Sequence, residues 1–209
     1  CNSNYIKEIT YLMWKCSLPD KAKYHTIYPC VDVRRFEGEM KRERRACYVG
    51  RIDRNKGIDM VIDAFLKAGR DVPEVRLDIV GGVKGSPWAE AYYPSLVSRL
   101  KVIGDERISL NVDVPSSEIV RVLLTSRCMA NYNPEEHYGI VPVEAMAAGT
   151  PPIVADGGGQ RETVIHGETG YLVHSTDEMA EAMMALLSDD DAFERMSRAG
   201  RSRAKDIFS

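Results

Sequence analysis

Asn133-Pro134-Glu135-Glu136-His137-Tyr138-Gly139-Ile140-Val141-Pro142-Val143-Glu144-Ala145-Met146 joins an apolar strand pattern, Cys128 to Asn131, to a helical one. The polar half carries two acids and a histidine, then turns at Gly139. Pro142 fits a helix only in its first turn, where a missing N–H costs nothing. The backbone N–H groups of Gly139, Ile140 and Val141 are therefore expected to be free and to point out of the helix start. Free amides at the positive end of a helix make an anion site. Glu136 stands before the turn and Glu144 about one turn inside it. A ligand with phosphate in the middle and hydroxyls at both ends suits that layout, and a nucleotide-sugar is such a ligand. Taken alone, Glu136 and Glu144 also fit a first-turn helix acid and a surface acid. Val143 and Met146 belong to the core face of the helix.

Around this run the pattern alternates between short apolar strands and amphipathic helices. Strands are expected at 46–49, 75–80, 108–112, 128–131, 152–155 and 171–173. Helices are expected at 58–67, 89–102, 116–125 with Ser116 as N-cap, 139–148, 160–165, 177–187 and 192–207. Gly149 takes the position after the 139–148 helix, and Ser175-x-x-Glu178 reads as a capping box. Strands this short and apolar, separated by helices, imply an α/β fold with a parallel sheet covered on both faces. Ligands of such sheets bind at the carboxyl ends of the strands. The loops that begin at Gly50, Gly81-Gly82, Asn111, Asn133 and Gly157 would lie along that edge.

Three of those loops carry candidate chemistry. Gly50-Arg51-Ile52-Asp53-Arg54-Asn55-Lys56-Gly57 places Arg51 and Lys56 in one strand-end loop, where the two cations could neutralise a diphosphate. A charged turn without function fits the same residues. Gly81-Gly82-Val83-Lys84-Gly85-Ser86 has neither of the common phosphate-loop spacings and reads as a turn. Asp156-Gly157-Gly158-Gly159-Gln160-Arg161-Glu162 offers either free amides at the ligand edge or a flexible turn.

The 209 residues are 44% hydrophobic and 28% charged, with a net charge of −3, which is ordinary globular composition and argues against nucleic acid as a partner. The one basic cluster, Arg34, Arg35, Lys41, Arg42, Arg44 and Arg45, alternates with Glu37, Glu39 and Glu43 and reads as a solvated loop, with a membrane-facing patch as the sharper alternative. No apolar run has the length of a membrane span, and no signal peptide pattern opens the chain. Cys1, Cys16, Cys30, Cys47 and Cys128 are scattered without a C-x-x-C pair, which suggests a reducing compartment; Cys47 and Cys128 sit in strand patterns as core thiols. His25, His137, His166 and His174 lack metal-ligand spacing, so no metal is expected.

At the start, Asn2-Ser3-Asn4 caps a helical pattern that runs to about Lys15, with no strand before it. A polar loop at 17–25, an extended piece at 26–29, a single turn at 32–36 and a charged stretch at 37–45 follow. The charged stretch is the boundary that composition suggests.

The run Glu136 to Pro151 resembles the E-x7-E signature of family-4 glycosyltransferases, retaining enzymes of the GT-B fold. Ile27-Tyr28-Pro29-Cys30-Val31-Asp32 resembles the family's hinge, and Tyr48-Val49-Gly50-Arg51 with Lys56-Gly57 its "VGR…KG" element. Gly158-Gly159 with Glu162, followed by Gly167-Glu168-Thr169-Gly170-Tyr171-Leu172-Val173, resembles its "GG-x-x-E…G-x-TG-x-LV" element. The likeness covers about residues 26 to 209. It implies a Rossmann-like, donor-binding C-terminal half over 31–209, preceded at 1–30 by a trailing helix and hinge from an N-terminal domain that this chain lacks. It further implies that Gly50, Arg51 and Lys56 hold the donor diphosphate, that Glu144 takes the ribose hydroxyls, and that Glu136 contacts the sugar. The amides of Gly139, Ile140 and Val141 would meet sugar and phosphate, and Val112 would lie beside the base. Arg51, Lys56 and Glu136 would be the catalytic groups, with no cofactor. Cys30 departs from the usual hinge, and Tyr138 stands where Phe is commoner.

The stretch 136–146 is most similar to mannosyltransferases of lipid-linked oligosaccharide assembly. GDP-mannose is the implied donor, with UDP-hexoses behind it. A saccharide or lipid-linked saccharide would be the acceptor, bound through the N-terminal domain. The implied place is the cytoplasm, with peripheral membrane contact. A sugar-phosphate synthase of the same fold and a non-catalytic nucleotide-binding module remain the alternatives.

Overall fold

The structure, a computed structural model, describes residues 1–14, 25–38, 40–70, 72 and 74–209. Lys15, Cys16, Glu39 and most of the expected 17–25 loop lie outside these. Among the described residues, six strands form one parallel sheet: β1 (Arg45–Arg51), β2 (Arg76–Gly82), β3 (Ile108–Val112), β4 (Cys128–Ala130), β5 (Pro152–Ala155) and β6 (Tyr171–Val173). Their spatial order is β3-β2-β1-β4-β5-β6. The chain starts in the middle, winds out to β3, returns to the other side of β1 and winds out to β6. This is the doubly wound, Rossmann-like arrangement, and its direction reverses between β1 and β4.

Among the described residues there are eight α-helices, α1 (Asn4–Trp14), which precedes the sheet, and α2 (Ile58–Ala68), α3 (Pro87–Ile103), α4 (Ser116–Thr125), α5 (Ile140–Ala147), α6 (Gln160–Thr163), α7 (Thr176–Ser188) and α8 (Asp190–Phe208), which connect and follow the strands. β1 explains why both faces need cover. Ala46 and Tyr48 point to the side packed by α2 and α7, whereas Cys47 and Val49 point to the side packed by α4, α5 and α8. All four are buried. Cys47 and Cys128 are core thiols as expected, and burial pushes the Cys47 thiol up to about 12. Among the described residues no helix is long and apolar enough to cross a membrane.

The element boundaries differ from the sequence expectation where local chemistry was misassigned. Gly81 and Gly82 are the last residues of β2, not a turn, and pair with Gly50 and Arg51 of β1. A β-carbon on Gly81 would lie 1.9 Å from the Gly50 carbonyl oxygen, so the two strands can run side by side there only without a side chain. Pro115, not Ser116, is the N-cap of α4, and Ser116 is its first helical residue. At α7 only half of the capping box forms. The Ser175 hydroxyl accepts from the Glu178 N–H, but the Glu178 carboxylate accepts from the N–H of His174 rather than that of Ser175. The expected C-terminal glycine of α5 is confirmed: Gly149 has φ +74° and donates to the Met146 carbonyl.

The largest correction concerns the basic cluster. Arg34, Arg35, Lys41 and Arg44 are exposed, but Arg42 is not part of a solvated loop. Its Nη1 donates to the carbonyls of Leu123 (2.9 Å) and Ser126 (2.7 Å) and to the Thr150 hydroxyl (2.7 Å), and its Nη2 donates to the Ala148 carbonyl. One guanidinium thus closes the orphan carbonyls at the ends of α4 and α5. Burial pushes its pKa down to about 10, which leaves it charged at neutral pH. Arg45 opens β1, with its side chain on Asp78 and Glu43.

Because Arg42→Ala would leave several buried carbonyls without a donor, it should destabilise the fold by about 3 kcal/mol or more. The neighbouring Lys41→Ala should change stability by less than about 0.5 kcal/mol. Urea unfolding of both variants checks this, and equal midpoints would show that Arg42 is no more than a surface charge.

Candidate functional site

The reversal between β1 and β4 splays the two loops that leave their carboxyl ends, and a crevice opens between them. The β1 loop folds first into a single 3-10 turn, Arg54–Lys56, capped by the Asp53 carboxylate on the Asn55 N–H at 3.0 Å. Below it the buried Tyr48 hydroxyl donates to the Arg51 carbonyl at 2.5 Å. The β4 loop is then tied to it: the Tyr132 N–H donates to the Lys56 carbonyl at 3.2 Å.

Two adjoining cavities fill the crevice. The larger, about 530 Å³, is lined by Arg51, Asn55, Lys56, Asn133, Glu136 and His137, among others. The smaller, about 80 Å³, reaches inward between Gly50 and the start of α5, where Gly139, Ile140 and Val141 line it. Lys56 and Glu136 border both. Their side chains form an ion pair at 2.5 Å, each about one-fifth exposed. Asn133 adds a donor to the same Glu136 oxygen at 3.3 Å. Arg51 is exposed and makes no ion pair among the described residues. The N–H groups of Gly139 and Val141 donate to no protein acceptor outside α5 among the described residues. The crevice therefore offers one unpaired cation, one exchangeable cation–carboxylate pair and a helix start, which together favour an extended anion bearing hydroxyls.

The 157–159 turn does something that neither sequence reading covered. It lies directly against the loop's backbone. A β-carbon on Gly157, Gly158 or Gly159 would stand 2.3, 2.2 or 2.3 Å from the carbonyl oxygens of Pro134, Glu136 and His137 respectively. The Gly159 N–H donates to the Glu136 carbonyl at 2.8 Å. These glycines are required by close approach, and Gly158 also by its φ of +54°. Next to them Gln160 is fully buried; its amide nitrogen donates to Asn131 at 3.0 Å, and its Oε1 has no hydrogen-bond partner.

Seven of the sequence-predicted residues meet in this crevice: Gly50, Arg51 and Lys56 from the β1 side, and Glu136, Gly139, Ile140 and Val141 from the β4 side. Two do not. Val112 ends β3, two strands from β1, half-buried against the core. Glu144 lies outside both cavities, one turn into α5, where its carboxylate is 3.7 Å from Arg35 Nη1. Burial pushes the Glu144 carboxyl above its usual range, and the Arg35 guanidinium partly offsets this. Sequence reasoning did not find Asn131, Asn133, Gln160 or Arg35. The first three carry no charge or spacing signal, and Arg35 was hidden in the basic cluster.

The model of the family described as glycosyl transferases group 1 matches residues 32–203. The alpha-1,3/1,6-mannosyltransferase alg-2 of Neurospora crassa is 29% identical over the whole of this chain and 52% of its own length. The D-inositol 3-phosphate glycosyltransferase of Nocardia farcinica is 31% identical over 85% of this chain and 42% of its own length. The chain thus spans about half the length of these curated relatives. Anabaena HepE, solved in complex with UDP-glucose, superposes over all of this chain and 59% of its own with a TM-score of 0.81 at 20% identity. The sheet order and the helices around it are those of the C-terminal half of a GT-B fold. With a family model matched over most of its length and that fold around it, the protein belongs to the glycosyl transferases group 1 family.

Proposed function

We propose that this chain is the donor-binding domain of a hexosyltransferase that takes a sugar from a nucleoside diphosphate. The observation that supports this best is the convergence of Arg51, Lys56 and the start of α5 on one crevice. In this reading the diphosphate lies between the two cations and the amides of Gly139, Ile140 and Val141. It displaces the Glu136 carboxylate from Lys56 and leaves Glu136 free to accept from the sugar hydroxyls. Glu144 takes the ribose hydroxyls at the far end. As the bond between the anomeric carbon and the phosphate oxygen breaks, its electron pair passes to that oxygen, where Arg51, Lys56 and the helix start stabilise the growing charge. The acceptor hydroxyl bonds to the anomeric carbon, and its proton goes to the departing phosphate, with retention of configuration. No metal and no other cofactor takes part.

GDP-mannose is the proposed donor. Its support is the likeness of residues 136–146 to mannosyltransferases of lipid-linked oligosaccharide assembly and the similarity to the Neurospora mannosyltransferase. A UDP-hexose is the second reading, favoured by the fold shared with a protein that holds UDP-glucose. The acceptor, a saccharide or lipid-linked saccharide, would be presented by an N-terminal domain at the cytoplasmic side of a membrane.

Titration calorimetry with GDP and UDP should give binding to at least one of them, with GDP the tighter ligand. Lys56→Ala should weaken that binding by on the order of tenfold to a hundredfold, the worth of one charge-assisted contact. Absence of heat with both nucleotides at millimolar concentration would refute the donor reading.

Glu144 gives a prediction with a definite sign. Burial raises its native pKa above that of an ordinary glutamate, so the folded state disfavours the ionised form. The resulting cost is absent well below pH 4.5 and grows as pH rises through the native pKa. Glu144→Gln should therefore unfold at higher denaturant than the parent at pH 7, with the difference gone near pH 4, while nucleoside binding weakens. A stability gain that is the same at both pH values would mean that burial of the charge is not its cause.

A further inference from the structure

The segment before the hinge is attached to the crevice by hydrogen bonds that nothing in the donor reading requires. α1 begins beside the 134–139 loop. Ser3, fully buried, donates its hydroxyl to the His137 carbonyl at 2.5 Å and caps its own helix by accepting from the Ile6 N–H at 3.1 Å. Glu162, at the end of the glycine turn, takes the rest of the helix start. One carboxylate oxygen accepts from the Tyr5 N–H at 2.8 Å. The other accepts from the Asn4 N–H at 2.9 Å, the Asn4 side chain at 3.0 Å and the Tyr28 hydroxyl at 2.9 Å. A carboxylate on two orphan amides of a helix N-terminus is favoured by both hydrogen bonding and the helix dipole. Tyr28 also carries the contact into the loop itself. Its ring stacks on Tyr138 at 5.9 Å between centroids, and the Tyr138 hydroxyl donates to the Pro29 carbonyl at 3.0 Å.

Three successive residues of the loop are thus held by three different partners. The Glu136 carbonyl is held by Gly159, the His137 carbonyl by Ser3, and the Tyr138 side chain by Pro29. The next residue is Gly139, whose φ of +89° turns the chain into α5, and Gly139, Ile140 and Val141 line the smaller cavity. Two of the three tethers come from residues 3–29, and Glu162 is the group that keeps that segment in place.

We propose that Glu162 and Ser3 are positioning residues: through α1 and Tyr28 they fix the His137–Val141 backbone in the orientation that presents its amides to an anion. The consequence for donor affinity rests on the function proposed above; the tether itself does not.

The test is nitrogen-15 relaxation of the backbone amides of the full chain without ligand, comparing the parent with Glu162→Ala and Ser3→Ala. Either variant should lower the order parameters at 137–141 from the rigid range of about 0.85 to below about 0.6, and leave those of β1 and β2 unchanged. The double variant should be little more mobile than either single one, because both cut the same attachment. Unchanged order parameters at 137–141 in both variants would overturn the proposal. So would a drop of equal size in β1 and β2, since that is a loosening of the whole fold. Glu162→Gln, which keeps an acceptor for the α1 amides, should restore most of the order; no recovery would also count against the assignment. Titration of the same variants with GDP then reads the consequence: weaker binding where 137–141 is loosened. Failure of the parent to bind GDP sinks the donor reading and leaves the relaxation result standing.

Discussion

The contact between the 157–159 turn and the backbone at 134–137 governs the geometry of the crevice. Peptide backbones rarely come this close, because a β-carbon normally holds them apart. Here three consecutive residues lack one, and the would-be β-carbons stand 2.2 to 2.3 Å from carbonyl oxygens of the loop. The loop therefore rests on the end of β5 as a fixed support instead of hanging free over the sheet. Any side chain at these positions would push the loop away by about 1 Å to reach ordinary contact distance. The amides of residues 139–141 would then move relative to Lys56, which belongs to a different strand end and would not follow.

This contact matters because the strands are short at that place. β4 has three residues and pairs with β1 through only two Cα partners, Ala46↔Cys128 and Cys47↔Met129. The topology thus puts the two loops together at the switch point, but two rungs of ladder do little to set their mutual angle. That angle comes from loop-to-loop contacts: Tyr132 on the Lys56 carbonyl, Gly159 on Glu136, Ser3 on His137. Arg42 does the equivalent on the opposite side of α5, where it collects the carbonyls of Ala148, Leu123 and Ser126. α5 is thereby fixed at its C-terminal end by a half-buried cation and at its N-terminal end by a backed loop. Its first amides are left for something else.

The pattern of apolar residues carried the α/β class, all six strands and most helix limits, because a sheet covered on both faces needs short, continuously apolar strands separated by amphipathic helices. The crevice was legible as far as charge and helix-start chemistry go: Arg51, Lys56, Glu136 and the 139–141 amides all meet there. Close approach was not legible. Gly81, Gly157, Gly158 and Gly159 look like turn glycines in a sequence, and only the neighbouring chain reveals that they are there to make room. Nor was the fate of Arg42, which differs from Arg44 in nothing but where the ends of two helices fall. Strand order was not legible either: β3 is an edge strand, two places from β1, which puts Val112 outside both cavities.

The Lys56–Glu136 pair ties these observations to selectivity. A lysine four-fifths covered by protein would be costly without an anion, and Glu136 supplies one in the unliganded crevice. An incoming anion therefore gains at Lys56 only the difference between its own interaction and that of a carboxylate already in contact. A single carboxylate or a weakly charged group gains little by that exchange. A diphosphate gains more, since it can hold Lys56, Arg51 and the helix start together while the displaced Glu136 finds new donors among hydroxyls. In the proposed donor reading, the pair would make recognition conditional on both halves of the ligand: charge to release Glu136, and hydroxyls to receive it. A bare phosphate satisfies the first condition and a free sugar the second, so the arrangement favours a molecule in which the two are joined.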